Sequence, residues 1–151
     1  MANIVPDSFK AELLAASHNF EYGVSAQTYK LALYVTTLGP PYTTSSTTYS
    51  VTNEVSSVGT GYSAGGNALT LGSLSGSIPG SNTAIVDFDN LTFSSVTLTA
   101  LGAAIYNSST TPANMLCLVL DFGGNKTATS GDFTIQFPNP TAADAIIRLG
   151  D

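Results

Sequence analysis

Few side chains in this 151-residue sequence could do chemistry, and their spacing decides which chemistry is open. Cys117 is the one cysteine and His18 the one histidine. A thiol nucleophile needs a base beside it and basic surroundings that lower its pKa. Cys117 instead lies inside the apolar run MLCLVL at 115–120 and reads as a small buried hydrophobe. His18 follows a predicted helix, has no second ligand at metal spacing, and reads as a helix-terminal or turn residue. Nothing in the sequence sets a nucleophile beside it. Asp87, Asp89, Asp121 and Asp132 are internal acids of the strand-rich half, each next to a turn. Asp87, Asp89 and Asn90 could bind Ca²⁺, but they lack the loop pattern of an EF-hand, and their role as turn formers is favoured. Paired carboxylates would suit glycosidase chemistry, so an envelope-degrading enzyme stays as an alternative that Asp87→Ala and Asp132→Ala would test. The segment GTGYSAG at 59–65 lacks the Lys-Ser/Thr of a phosphate loop and the spacing of a dinucleotide site. No catalytic residue, metal or cofactor is expected.

Composition points the same way. Charged residues make up 9% of the chain, against about 25% in an average soluble domain. Ten acidic residues oppose four basic ones, a formal charge of −6, and Lys10, Lys30, Lys126 and Arg148 are scattered singly. Nucleic-acid binding, which needs clustered cations against phosphate, is not expected. Neither a signal peptide nor a membrane span is expected, because no long apolar stretch occurs. Synthesis in a cytoplasm without disulfides follows from these readings. So little charge gives weak protection against association, so a protein partner is expected.

The elements that must position these residues are mostly strands. Residues 6–17 predict a helix with Asp7 as N-cap and Phe9, Leu13 and Ala16 on one face, widened by Leu14. Whether this arm rests on its own sheet or on a neighbouring subunit is open. Tyr29, Leu31, Leu33 and Val35 alternate with Lys30, Ala32 and Tyr34 in a first strand, which Gly39, Pro40 and Pro41 end. Residues 43–48 predict a loop, and 49–55 a short strand or a loop ending in a turn of helix. Gly59–Gly61 and Gly65–Gly66 predict turns that bracket Tyr62. Strands follow at 69–71, after which 72–80 interrupts, then at 83–88 and at 92–99 with a bulge near Ser94 and Ser95. Residues 100–106 predict a buried strand with close backbone approach at Gly102, rather than a helix. Residues 115–122, apolar on both faces, predict a central strand that Gly123 and Gly124 turn. Residues 126–129, 132–137 and 145–149 complete the set, with Pro138 and Pro140 as a stop.

Composition and motifs alone stop at a soluble β-rich structural module. The ordered segments DSFKAELL (7–14), KLALY (30–34), TNEV (52–55), GTGYSAGG (59–66), AAIYN (103–107), LDFG (120–123) and FTIQF (133–137) resemble a family of small tailed-bacteriophage virion proteins. Ser57 and Val58 are extra relative to that family's pattern. The resemblance implies a capsid decoration (cement) protein that binds outside the major capsid lattice, on the capsid exterior, as a homotrimer. A head-fibre or tail-tip module recognising a host surface is the alternative. The expected fold is a single all-β domain over 1–151, an antiparallel β-sandwich or jelly-roll-like barrel of about eight strands, with 1–20 as a helical arm. Phe9 and Leu13 on the arm, and Tyr42, Tyr49 and Tyr62 on the loops, are the candidate partner contacts.

Overall fold

The computed structural model describes residues 3–24, 27–35, 42–73, 76–77 and 81–150. Its organising strand is β1, Tyr29–Tyr34. Successive side chains of a strand point to opposite faces, and here both faces are buried. Tyr29, Leu31 and Leu33 enter a large apolar cluster, while Ala32 and Tyr34 enter a smaller one on the other side. The remaining strands are β2 (Asn67–Ala68), β3 (Gly76–Ser77), β4 (Ala84–Val86), β5 (Leu91–Asn107), β6 (Met115–Ile135) and β7 (Ile147–Leu149). Every pairing between them is antiparallel, in two sheets of order β2-β1-β5-β6 and β3-β4-β7. The chain is an all-β antiparallel fold with, among the described residues, one short helix, α1 (Asp7–Leu14). Val86 of β4 and Phe88 just beyond it share the large cluster with Leu31 and Ile105, so both sheets contribute to one core.

β5 and β6 each run unbroken where the sequence predicts several shorter strands, and bulges explain how. The bulge expected near Ser94 and Ser95 is present: the register shifts between Phe93 and Val96, with Ser95 at φ 57. Gly123 and Gly124 do not turn the chain, contrary to expectation. Ala100 pairs with Lys126 and Gly102 with Asp121, so residues 122–125 stand opposite Leu101 alone. The positive φ of Gly123 (69) and Gly124 (147) absorbs that excess within one strand. A further irregularity pairs Ile105 with Leu118 and Tyr106 with Leu116, leaving Cys117 without a partner in the ladder. Cys117 and Leu118 thereby both join the large cluster.

The apolar run at 115–119 is not a central strand, since β6 is outermost in its sheet. Its burial comes from chain laid along its outer edge. Ile4 exchanges backbone bonds of 2.9 Å with Val119, and the Leu116 and Tyr49 amides donate to Thr47 and Asn114. Covering an edge in this way removes a template for unwanted pairing.

The edge of β1 is sealed likewise, by the glycine-rich block. The Val35 amide donates to the Asn53 carbonyl, the Val55 amide to Leu33 and the Leu69 amide to Tyr29. Only Asn67 and Ala68 of this cover are strand. The strand expected at 69–71 is not formed: β2 ends at Ala68, and Leu71 makes an isolated bridge to Phe88. Gly66 explains the block's composition: a Cβ there would lie 1.7 Å from the Leu31 carbonyl oxygen. The end of the first strand at residues 39–41 lies outside the described residues, as do 74–75 and 78–80 of the expected interruption.

α1 is shorter than the predicted 6–17. Pro6, not Asp7, occupies the N-cap, no side chain caps the helix, and the Asp7 amide donates to the Thr44 carbonyl at 2.8 Å. Asp7 still places its charge in the first turn, where the helix dipole favours it. At the far end the Ser17 amide bonds to the Glu12 carbonyl and Ala16 to Leu13, with Ala16 at φ 56. This is a Schellman closure with alanine where glycine is usual. α1 lies on its own chain, against β6, with Phe9 buried. Leu14 is excluded from the packed face at 92% exposure.

Candidate functional site

Sequence spacing did not reveal the densest reactive cluster. Cys117 Sγ lies 3.9 Å from His18 Nδ1, and His18 Nε2 lies 2.9 Å from a Glu12 carboxylate oxygen. The order is that of a thiol, an imidazole and a carboxylate. Residues 99 positions apart are joined by the bulge that turns Cys117 inward and by the Schellman turn that brings His18 back under α1. The hydrogen bonds assign the imidazole. Asn107 Oδ1 accepts from the Ser109 amide, so its Nδ2 donates to Gln27 Oε1 at 2.8 Å and to His18 Nδ1 at 3.2 Å. His18 Nδ1 is thus an acceptor and Nε2–H donates to Glu12. Burial, with the Glu12 charge adding to it, pushes the Cys117 thiol up from its ordinary value. A thiol held protonated in a closed core, beside an imidazole nitrogen already occupied by an amide, is a packing node rather than an activated nucleophile.

The acids stay dispersed. Burial, then Asp89, raises the Asp87 carboxyl, and Asp132 Oδ1 accepts from the Ser95 amide at the bulge. Among the described residues no three His, Cys, Asp or Glu side chains gather to hold a metal. No helix among them is long and apolar enough to cross a membrane.

The tyrosines proposed as contacts mostly face inward. Tyr42 and Tyr62 are 2% and 3% exposed, and Tyr49 is half-buried against Tyr106 with ring centroids 4.5 Å apart. The physical reason is a shared carboxylate. Glu54 accepts from Tyr62 Oη and the Gly65 amide, both at 2.6 Å, and from Tyr49 Oη. Tyr62 Oη in turn accepts from the Leu33 amide at 3.0 Å, where β2 no longer reaches β1. Tyr34 and Tyr42 join hydroxyls at 2.6 Å over the Ser50 carbonyl, and Tyr106 donates to Gly65. Tyr42 and Tyr62 are therefore internal braces, not a ligand face. A Glu among tyrosines was the available signal, but sequence does not tell which hydroxyls converge on it.

Phe9 is likewise buried, at 1%, so its side chain is a core anchor. It nevertheless forms, with Leu13, one wall of an open groove of about 490 Å³ between α1 and β7. Val5, Lys10, Leu118 and the run Ile146, Ile147, Arg148, Leu149, Gly150 also line it. Leu118 of β6 belongs to the core beneath; Val5 and Leu149 keep 43% and 59% exposure. Arg148 Nη1 donates to the Ala142 and Ala143 carbonyls, and Lys10 pairs with Asp7 at 2.8 Å. Of the five contacts expected from sequence, Leu13 in this groove and Tyr49 on the opposite network retain accessible surface. A groove with apolar walls and cationic rims can bind a chain segment; it presents no acid–base pair.

Searches of protein-family models, curated proteins and solved structures return no match to this chain.

Proposed function

We propose that this chain is a non-enzymatic structural subunit of a tailed-phage virion, a decoration protein that binds the exterior of the major capsid lattice as a homotrimer. The observation that carries the reading is the surface. Leu14, Val58, Val51 and Val24 are 92%, 85%, 70% and 67% exposed on a chain with only 9% charged residues. Exposed apolar side chains on so uncharged a surface suit contact with other protein. The resemblance of the ordered segments to small virion proteins suggests the particular role. The mechanism is stapling: a subunit that binds only the assembled shell stabilises it by mass action, and symmetric neighbours repeat the contact.

The test is the copy number of this chain in purified particles, by quantitative mass spectrometry against the major capsid protein. Near-stoichiometric abundance is expected. A few copies per particle would move the chain to the tail or a fibre, and absence would remove the virion reading.

A further inference from the structure

The groove between α1 and β7 has a geometry that selects its occupant. Side chains of a strand alternate between faces, yet Ile146, Ile147, Arg148, Leu149 and Gly150 all line it. Lining by consecutive residues suits a groove that follows the strand's edge, with Thr83 of the paired segment lining it beside Gly150. β7 is the outer strand of its sheet, paired with β4 through three residues. Among the described residues that sheet's ladders are of two and three residues, at the lower limit of what strands span. An edge of this kind accepts an added strand through its backbone groups, while flanking pockets choose the side chains.

Those pockets are specific. Phe9 and Leu13 on the α1 side, Leu118 beneath and Val5 at the rim offer apolar contact. Lys10 and Arg148, two of the four cationic side chains in a chain of net charge −6, stand on opposite walls. The contacts of Arg148 among the described residues are to main-chain carbonyls, which leave its charge uncompensated. Lys10 already pairs with Asp7 at 2.8 Å, an exposed contact that an incoming carboxylate would share, and carboxylates are the complement of the two cations. The volume lies within the roughly 300–1,000 Å³ of ligand-binding clefts, enough for a few residues of extended chain.

We propose that this groove receives an extended segment of the major capsid protein, which adds to β7 as a strand and sets a carboxylate, flanked by apolar side chains, against Lys10 and Arg148. The inference rests on the decoration reading and locates the contact by which it operates.

The experiment uses shells purified from phage lacking the gene for this chain, with purified full-length chain added back and binding read by co-sedimentation. Lys10→Glu and Arg148→Glu are each expected to weaken binding by about tenfold. Lys126→Glu, a matched charge reversal at an exposed position that does not line the groove, is expected to bind like the wild type. Circular dichroism checks that each variant folds, and Lys10 is an exposed helix position where charge reversal leaves the core untouched. Hydrogen exchange of the wild type on shells adds a readout independent of any variant: the amides of Ile147–Leu149 are expected to slow on binding. Wild-type binding with unaffected groove variants and unchanged β7 exchange would overturn the groove proposal and leave the decoration reading standing. No binding by the wild type would overturn both. An oligomer of the free chain that Lys10→Glu or Arg148→Glu dissociates, read by analytical ultracentrifugation, would assign the groove to a second copy and overturn the capsid occupant.

Discussion

The two ends of β1 carry the same residue type in opposite surroundings. Tyr29 stacks on Phe20 with centroids 4.4 Å apart, in a ring cluster with His18 and Phe88 under α1. Tyr34 bonds through its hydroxyl to Tyr42 and the Ser50 carbonyl, next to the network around Glu54. One side is held mainly by ring packing, with the Tyr29 hydroxyl donating to the Asn19 carbonyl at 2.8 Å. The other is held by directed hydrogen bonds and by glycines pressed onto the backbone. Directed bonds fix a geometry, whereas apolar contact tolerates repacking. The glycine-rich block thus holds one edge of β1 in place, and the α1–β7 side is where we propose that the partner docks.

The sharpest way to break this comparison is Gly66→Ala. The new Cβ would fall 1.7 Å from the Leu31 carbonyl oxygen and 2.5 Å from its carbon, at a φ of +68. Backbone cannot yield as a flexible side chain does, so a loss of more than about 4 kcal/mol is expected, in the rare upper tail for single substitutions. Urea unfolding measures it. A loss below about 1 kcal/mol would mean that the block does not sit on β1.

Glu54→Ala comes next. It strands two tyrosine hydroxyls and the Gly65 amide, at a cost of roughly 3 kcal/mol, and Glu54→Gln, which keeps one acceptor, costs less. Equal unfolding midpoints for the two variants would argue against convergence on a carboxylate.

Alkali probes the same network without mutation. Burial raises the hydroxyl pKa of Tyr34, Tyr42, Tyr49 and Tyr62, and pushes Tyr106 up to about 12. A folded-state pKa above the unfolded value of about 10 means that the fold holds the neutral form. The unfolded chain ionises first, so this stability is complete below about pH 10 and is lost as pH rises toward and past 12. Tyrosinate absorbance in the near ultraviolet is expected to rise together with loss of circular dichroism. Ionisation of these tyrosines well before unfolding would show the network to be open to solvent.

The legible parts of the fold were those with local causes. Alternation in β1, the bulge at Ser95 and the turns at Gly59–Gly61 and Gly65–Gly66 each follow from the residues that occupy them. What escaped depends on distant chain. The run at 115–119 is buried because Ile4 and residues 47–49 lie along it, and no pattern within the run records that. Gly123 and Gly124 can serve a turn or a bulge equally, and only the register of the opposing strand chooses. The Cys117–His18–Glu12 cluster and the convergence on Glu54 are products of tertiary folding in the same sense. Tyr42 and Tyr62 read as exposed because aromatic residues in polar loops resemble contact residues until their hydroxyl acceptor is known.

The weaker side offers a converse of Gly66. There a glycine cannot become alanine; at the end of α1 an alanine stands where glycine would be better. Ala16 adopts φ 56 to close the helix through the Ser17 and Ala16 amides. A left-handed conformation costs a non-glycine residue roughly 1–2 kcal/mol, set against the larger unfolded-state entropy of glycine, which returns some 0.4–1 kcal/mol. Ala16→Gly is therefore expected to stabilise the chain by about 0.5 kcal/mol, visible as a small rise in the urea midpoint. Because the Schellman turn also delivers His18 beneath the helix, native-state alkylation of Cys117 is expected to slow with it, since the thiol is reached only when α1 lifts. A variant that gains stability without slowing alkylation would separate the helix end from the core it covers. It would place the opening that exposes Cys117 in β6 rather than in α1.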